Sequence, residues 1–132
     1  MFKRLLVPVD GSDELSPRAM STSIELAQRL GASITGFIAE PFGAHDAAAA
    51  AHASKVMARF ARLSCAAGVP FASHSTQACH IDAAIVEAAS EHGCDVIVMT
   101  THAHGLLGRW LHGSCTERVA ARSRLPMLVL RG

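Results

Sequence analysis

The chain carries little charge, which limits the partners that can be expected for it. Only 17% of its 132 residues are Asp, Glu, Lys or Arg, and the formal net charge is +1. That balance provides no electrostatic footprint for nucleic acid or for an anionic membrane, so we predict neither as a partner. Half of the residues are hydrophobic, so a disordered chain is not expected either.

Long apolar runs and closely paired cysteines are also absent. The first apolar run is broken by Pro8 and Asp10, too early for a signal peptide, and no stretch approaches the length of a membrane span. The cysteines stand apart from one another, with no C-x-x-C pair, at Cys65, Cys79, Cys94 and Cys115. We expect a cytoplasmic protein whose cysteines are reduced thiols in or near the core.

Several catalytic motifs are missing as well. The sequence has no G-x-S-x-G elbow, and no nucleophile stands beside an identifiable base. The glycine-bearing stretch 100–114 contains no lysine and is therefore not a Walker P-loop. We predict that the protein is not an enzyme.

What the chain does contain is an alternation of short apolar runs with stretches of helical periodicity. The predicted strands are 5–9, 33–39, 70–77, 95–99 and 126–130, and the predicted helices are 17–30, 47–67, 81–92 and 114–124. Strands that alternate with helices predict a parallel sheet covered on both faces. Right-handed crossovers then give a single doubly wound α/β domain over residues 1–132.

Helical spacing also predicts which residues face the core. The inward positions are Met20, Ile24, Ala27 and Leu30 in the first helix, Val56, Met57, Phe60 and Leu63 in the second, and Ile85, Ala88 and Ala89 in the third. Gly31, Gly68 and Gly93 follow these helices as predicted stop signals.

The stretch 100–114 is the strongest candidate for a functional site. It joins a predicted buried strand to the start of a helix, and such a loop with a helix N-terminus is typical of an anion site. Ligands of doubly wound sheets bind outside the carboxyl ends of the strands, where the strand order reverses. Asp10 and Thr100 follow the first and fourth strands, so we predict the site between them.

These residues resemble those of the universal stress protein family, over the full length of the chain. The resemblance rests on Leu-Leu-Val-Pro-Val-Asp-Gly-Ser at 5–12, on Cys94–Met99, and on Gly113-Ser114 followed by 119–131. It implies a five-stranded Rossmann-like sheet of order 3-2-1-4-5 and a homodimer formed through the C-terminal edge strand. In one branch of the family it also implies ATP binding through Gly-x2-Gly-x9-Gly-Ser or Gly-x2-Gly-x9-Gly-Thr.

The loop of this chain departs from that motif. The spacing Thr100-x2-Ala103-x9-Gly113-Ser114 is intact, but Thr100 and Ala103 replace the first two glycines. Glycine tolerates positive φ and lets a phosphate approach the backbone, whereas threonine is β-branched and stiff. We therefore expect ATP or another adenine nucleotide to bind weakly, with no metal apart from the Mg²⁺ that accompanies it.

The resemblance implies a nucleotide site made of strand ends, loop and first helical turn. Its residues would be Pro8, Asp10, Ile38, Met99, Thr100, His102, Ala103, Gly113, Ser114, Cys115 and Thr116. Asp10 would meet the adenosine, and Ser114 and Thr116 would offer hydroxyls to a phosphate. Asp10 also fits a simple Asp-Gly turn, and Ser114 with Glu117 fits a helix capping box.

Two features of the loop leave other interpretations open. His102, His104 and His112 could be solvated, could face a phosphate, or could bind a metal in a regulatory protein. The second feature is apolar: large side chains of the loop recur at helical spacing and form either a turn that docks on the domain or a partner surface. They are Leu106, Leu107, Trp110 and Leu111. A slow ATP hydrolase or phosphotransferase on the same scaffold is the remaining alternative.

Overall fold

A computed structural model describes residues 2–9, 17–40, 47–101 and 113–131. Within these ranges the elements in chain order are β1 Arg4–Pro8, α1 Pro17–Leu30, β2 Ser33–Glu40, α2 Ala47–Ala66, β3 Phe71–Gln77, α3 Ile81–Glu91, β4 Val96–Thr101, α4 Gly113–Arg122 and β5 Met127–Arg131. The strands form one parallel sheet of order β3-β2-β1-β4-β5. The predicted doubly wound fold and its strand order are confirmed.

Alternate residues of the strands supply two separate cores. Successive side chains of a strand point to opposite faces, so Leu5 and Val7 pack with α1 and α2 while Leu6 packs with α3 and α4. All three are fully buried. Since β1 and β4 are covered on both faces, they read in the sequence as continuous apolar runs rather than as alternating patterns.

Gly36 of β2 leaves space that neighbouring side chains fill. A Cβ at this position would lie 2.5 Å from Sδ of Met57 and 2.9 Å from Cζ of Phe71. Contacts that short would force these two side chains to move, so the packing of Met57 and Phe71 over β2 depends on the glycine.

The glycines after α1, α2 and α3 end these helices as predicted. Gly31, Gly68 and Gly93 have φ values of 64°, 75° and 65°, the left-handed region that glycine adopts without strain. In each case the residue after the glycine donates its N–H to the carbonyl five residues earlier, at 2.8 Å. This bond is the Schellman cap, and it leads the chain directly into the next strand.

Two predicted core leucines, Leu30 and Leu63, are instead exposed. Leu30 is the last residue of α1, where Ala27 already makes the inward contact. Leu63 lies on a flank of α2 that lines an open cleft together with Ile24 and Gln28 of α1. The helical periodicity was right for α2, but its apolar face extends beyond the part that the sheet covers.

The cysteines also differ from the expectation of core thiols. Cys65 and Cys79 are exposed, because the first points outward from α2 and the second lies in the short connection after β3. Cys94 is buried as expected, and burial raises the pKa of its thiol even though a hydrogen bond with Thr35 favours the thiolate. Cys94 therefore stays protonated at neutral pH.

Within the described ranges, no helix is both long enough and apolar enough to span a membrane.

Candidate functional site

The candidate site lies at the carboxyl edge of the sheet, between β1 and β4. The chain runs outward from β1 through β2 to β3, and then returns to place β4 and β5 on the other side of β1. The connecting helices on the two sides of β1 therefore run in opposite directions and leave a crevice at the carboxyl ends of β1 and β4. In open α/β sheets this crevice is the usual ligand site. Pro8 ends β1 here, and Thr101 ends β4.

The structure places Thr100 in β4 rather than in the loop that was predicted to begin there. The strand continues two residues beyond its predicted end because Thr100 and Thr101 pair with Leu130 and Arg131 of β5. A β-branched residue suits this extended backbone. No non-glycine residue among those described has positive φ, so Thr100 is free of the strain expected from its replacement of a motif glycine.

Two threonine hydroxyls at this edge are buried without a hydrogen-bond partner. Thr100 is 1% exposed and Thr116, in the first turn of α4, is 8% exposed. Within the described part of the chain, neither Oγ1 atom has a donor or acceptor in reach. A buried hydroxyl left unsatisfied costs about 1–3 kcal/mol, so both positions offer polar atoms that a ligand could pair.

A third buried hydroxyl without a partner lies elsewhere in the fold. Ser64 of α2 is also buried, and its Oγ also lacks a partner among the described residues. It packs within the α1/α2 side of the core, away from the ends of β1 and β4. An unpaired hydroxyl is therefore not by itself a ligand group. Thr116 differs from Ser64 by its place in the first turn of α4, and Thr100 by its place at the end of β4, although its side chain faces the α1/α2 side of the sheet.

The first turn of α4 contributes backbone donors to the same edge. The helix begins at Gly113, one residue before the predicted start at Ser114. Gly113, Ser114 and Cys115 are the first three residues of the helix. Their N–H groups have no partner within the helix, and the helix dipole favours a negative charge at this end.

The side chains of three other predicted site residues lie in the core. Pro8, Ile38 and Met99 are buried. Ile38 packs on the side of α1 and α2, whereas Met99 packs on the side of α3 and α4. The structure therefore does not bring the side chains of Ile38 and Met99 together, and a ligand at the edge would reach their backbone first.

Several predictions fall outside the described residues. Asp10, His102 and Ala103 belong to this group, as do the predicted metal and phosphate roles of the loop histidines and the apolar turn that contains Trp110. Within the described ranges, no group of three His, Cys, Asp or Glu side chains could hold a metal ion.

An ion pair that the sequence analysis did not anticipate connects α4 to α3. Nε of Arg122 lies 2.7 Å from Oδ2 of Asp82, and the aspartate side chain is buried whereas the arginine is largely exposed. Asp82 lies in the first turn of α3, where the dipole favours a carboxylate. An acid in the first turn of α3 was the available signal, and the pair helps to position the helix that carries Thr116.

A comparison with protein families identifies the chain. The model of the universal stress protein family matches residues 1–131. The chain belongs to the universal stress protein family. No curated protein matches it significantly in sequence.

Solved structures of universal stress proteins share the fold. UspA from Lactobacillus plantarum is 23% identical, with a TM-score of 0.76 and coverage of 98% of each chain. A universal stress protein from Archaeoglobus fulgidus, in complex with dAMP, is 17% identical, with a TM-score of 0.73 and coverage of 97% of each chain. A universal stress protein in complex with cAMP is 25% identical, with a TM-score of 0.70 and coverage of 98% of this chain and 97% of the other.

Proposed function

We propose that this universal stress protein is a small cytoplasmic binding module that holds an adenine nucleotide at the carboxyl edge of its sheet, between β1 and β4. The observation that carries the proposal is the buried, unpaired hydroxyl of Thr116 in the first turn of α4; the hydroxyl of Thr100, also unpaired, lies at the end of β4 and faces the α1/α2 side of the sheet. A phosphate supplies acceptor oxygens, and the N–H groups at the start of α4 add donors beside Thr116.

The solved relatives support the chemical class of this ligand. Two universal stress proteins of the same fold have solved structures in complex with dAMP and with cAMP, both adenine nucleotides that carry a phosphate. We propose weak binding for this chain, because Thr100 and Ala103 replace glycines of the family motif. Since Thr100 is an unstrained strand residue here, the weakening would come from its side chain occupying space at the edge rather than from backbone strain.

Calorimetric titration of the whole chain with ATP and with AMP tests the proposal. We expect weak, saturable binding that falls in Thr116→Val, because valine keeps the shape of threonine but removes the hydroxyl. Ser64→Ala is the matched control, since it removes a buried unpaired hydroxyl from the α1/α2 side of the core and should leave affinity unchanged. Absence of binding at millimolar nucleotide, or an equal loss in both variants, would refute the site.

We also propose that the bound nucleotide is not turned over, because the sequence offers no nucleophile beside a base. Incubation of the purified protein with ATP and Mg²⁺ should then yield no ADP above the rate without protein. ADP formation that is lost in Thr116→Val would instead favour a slow hydrolase at the same edge.

We propose further that a second copy of the chain pairs with β5. This strand ends the sheet, and its Leu128 and Val129 are 41% and 47% exposed. An apolar edge strand of this kind tends to be covered or paired, and a two-fold contact closes on itself. Light scattering should give a dimer mass for the native chain and a monomer mass for Leu128→Lys. A monomer at micromolar concentration of the native chain would contradict this assembly.

A further inference from the structure

β3 forms one edge of the sheet, and its side chains are exposed on both faces. Every residue from Ala72 to Gln77 is exposed, whereas β1, which lies inside the sheet, is buried from Leu5 to Pro8. β3 nevertheless pairs with β2 along its whole length, in one continuous register. Strands of a parallel sheet normally lie under helices on both faces, so β3 is unusually accessible.

The outer edge of β3 presents backbone groups in a regular series. The N–H of Ile34 donates to the carbonyl oxygen of Pro70, and the N–H of Ala78 donates to the carbonyl oxygen of Glu40, both at 2.9 Å. Alternate residues of a parallel strand bond to the same neighbour, so the even-numbered residues of β3 bond to β2 and the odd-numbered residues point away from it. Within the described part of the chain, no strand lies beside these outward groups. They are the N–H and C=O groups of Phe71, Ser73 and Ser75.

The edge lacks the features that keep many edge strands unpaired. Residues 71–77 contain no proline, no lysine and no acidic side chain. Their register with β2 also contains no bulge. Native proteins use such residues and bulges to prevent another strand from adding to an edge. The composition of β3 therefore allows a further strand to pair with it.

One ring contact on each face holds β3 in position. On the α2 side, the ring centroids of Phe71 and Phe60 lie 5.1 Å apart, with the ring planes at 55°. On the α3 side, His74 stacks on His92, which follows α3, with the centroids 3.7 Å apart and the planes at 13°. The edge is thus ordered before a partner arrives, which reduces the entropic cost of pairing.

An open groove lies beside β3 on the face that α2 partly covers. This α2-side groove has a volume of about 480 Å³. Accessible apolar carbon comes from Ala58, which is exposed, and from Ala61 and Phe71, which are half-buried. Ser73 and Ser75 of β3 also line it. A large apolar side chain that enters this groove would cover the two alanines and the edge of the phenylalanine ring.

A second open groove lies on the opposite face of β3, towards α3. This α3-side groove has a volume of about 610 Å³, and it shares Phe71 and His74 with the α2-side groove. Its lining also includes Ser90, Glu91 and His92 at the end of α3. A hydroxyl, a carboxylate and imidazole nitrogens offer both donors and acceptors, so a polar side chain suits this groove.

We propose that the outer edge of β3 binds an extended segment of a partner protein as an added strand of the sheet. The backbone of that segment would pair with the outward N–H and C=O groups of β3. Its side chains would alternate between the faces, large and apolar in the α2-side groove and polar in the α3-side groove. At 3.3 Å per residue β3 is about 23 Å long, which a segment of roughly seven or eight residues matches.

The size and shape of the edge favour this occupant over a second copy of the chain or a helix. A stable interface between two folded chains takes roughly 20–30 residues from each, whereas β3 supplies seven. A second copy paired through its own β3 would bring mainly serine and threonine side chains to the grooves and leave them largely unfilled. A helix presents one face to its partner and does not place alternate residues on two faces of a sheet.

Fluorescence anisotropy with labelled synthetic peptides tests the proposal on the whole protein. The probe is a peptide of about eight residues in which leucine and threonine alternate, with lysine and glutamate at its ends. We expect it to bind, and a peptide of the same composition with its leucines in one block to bind at least about tenfold more weakly. Methyl groups are then placed on the leucine amides of one probe and on the threonine amides of another. Only one of these sets of N–H groups faces β3, so only one methylated probe should lose binding.

Matched proline variants locate the added strand. Ser73→Pro removes an outward N–H of β3 and should weaken binding of the alternating probe by at least about tenfold. Val129→Pro is the control on the opposite edge and should leave the affinity unchanged. The N–H of Val129 also points outward, because the N–H of Ile97 donates to the carbonyl oxygen of Pro126. Ser73→Lys keeps the backbone N–H but adds a protective charge, and it should weaken binding as well.

Circular dichroism of the three variants confirms that each is folded before its affinity is compared. The proposal would be overturned if the alternating probe did not bind at millimolar concentration or bound no better than the block peptide. It would also be overturned if both methylated probes bound, or if neither did. Loss of binding in Val129→Pro, with none in Ser73→Pro and Ser73→Lys, would place the peptide at β5 instead.

Discussion

At the amino edge of the sheet, both carboxylate oxygens of Asp95 accept backbone hydrogen bonds, whereas at the carboxyl edge the hydroxyls of Thr100 and Thr116 have no partner among the described residues. The Asp95 bonds come from the N–H groups of Lys3 and Arg4, at 2.8 and 3.0 Å, and they join the start of β4 to the start of β1. Paired polar groups hold the amino edge together. Unpaired ones reduce the stability of the carboxyl edge but leave donors and acceptors for a ligand.

The titration of Asp95 reflects its role at the amino edge. Desolvation by burial would raise the pKa of its carboxyl, but hydrogen bonds from the backbone N–H groups of Lys3, Arg4 and Asp95 itself outweigh it. The net effect lowers the pKa below its ordinary value of 3.8. The folded state therefore favours the charged form of Asp95.

The largest effect should follow from breaking the amino edge. Asp95→Ala leaves two backbone N–H groups without their charged acceptor and should lower the free energy of unfolding by about 2 kcal/mol, measured by urea denaturation. Glu87→Ala, which removes an exposed carboxylate from α3, is the control and should change it by less than about 0.5 kcal/mol. A loss for Asp95→Ala as small as that of the control would show that this carboxylate does not hold β1 and β4 together.

The carboxyl edge should respond with the opposite sign. Thr116→Val and Thr100→Val remove buried unpaired hydroxyls without changing side-chain shape, so each should raise the free energy of unfolding by about 1 kcal/mol in urea without nucleotide. Thr35→Val is the matched control, because the buried hydroxyl of Thr35 pairs with Cys94 and its loss should not stabilise. Destabilisation by all three valines would mean that the carboxyl-edge hydroxyls are as well satisfied as that of Thr35.

The two edges were not equally predictable from sequence. The apolar runs and the glycine stops located every described strand and helix to within two residues, because a doubly wound core imposes those patterns locally. The sequence did not show that β5 extends alongside Thr100 and keeps it in the strand, since that depends on a strand pair distant in sequence. Nor did it show that α4 begins at Gly113, one residue before its predicted start.

Surface features were also harder to predict than the core. Leu63 has the spacing of a core residue, yet only the packing of α1 beside α2 shows that it lines a cleft. Lys55 and Arg62 lie on a helix without Asp or Glu, whereas the chain as a whole has a net charge of +1. The total charge of the chain therefore does not report the local charge of a helix face.

A smaller effect should appear when the free energy of unfolding is measured as a function of pH. Because the folded pKa of Asp95 is lowered, its contribution to stability is complete well above pH 3.8 and is lost as the pH falls through the folded pKa. The difference in free energy of unfolding between the native chain and Asp95→Asn should be constant near neutral pH and shrink below about pH 4. Urea denaturation at several pH values measures it, and a difference that grows on acidification would reverse the assigned direction of the shift.

The smallest effect should be the response of the carboxyl edge to its ligand. A nucleotide that binds only the folded state raises the free energy of unfolding by about 1 kcal/mol at five times its dissociation constant. Thermal unfolding with ATP should show this rise for the native chain and for Asp95→Ala, because the amino edge is not part of the site. At the same ATP concentration Thr116→Val should gain less, although it starts from a higher stability. The higher stability of Thr116→Val and its smaller response to ATP then have one cause. The hydroxyl that costs stability in the free protein is the one that the ligand pairs. If ATP stabilised the native chain and Thr116→Val equally, the unpaired hydroxyl of Thr116 would lower the stability of the fold but would take no part in binding.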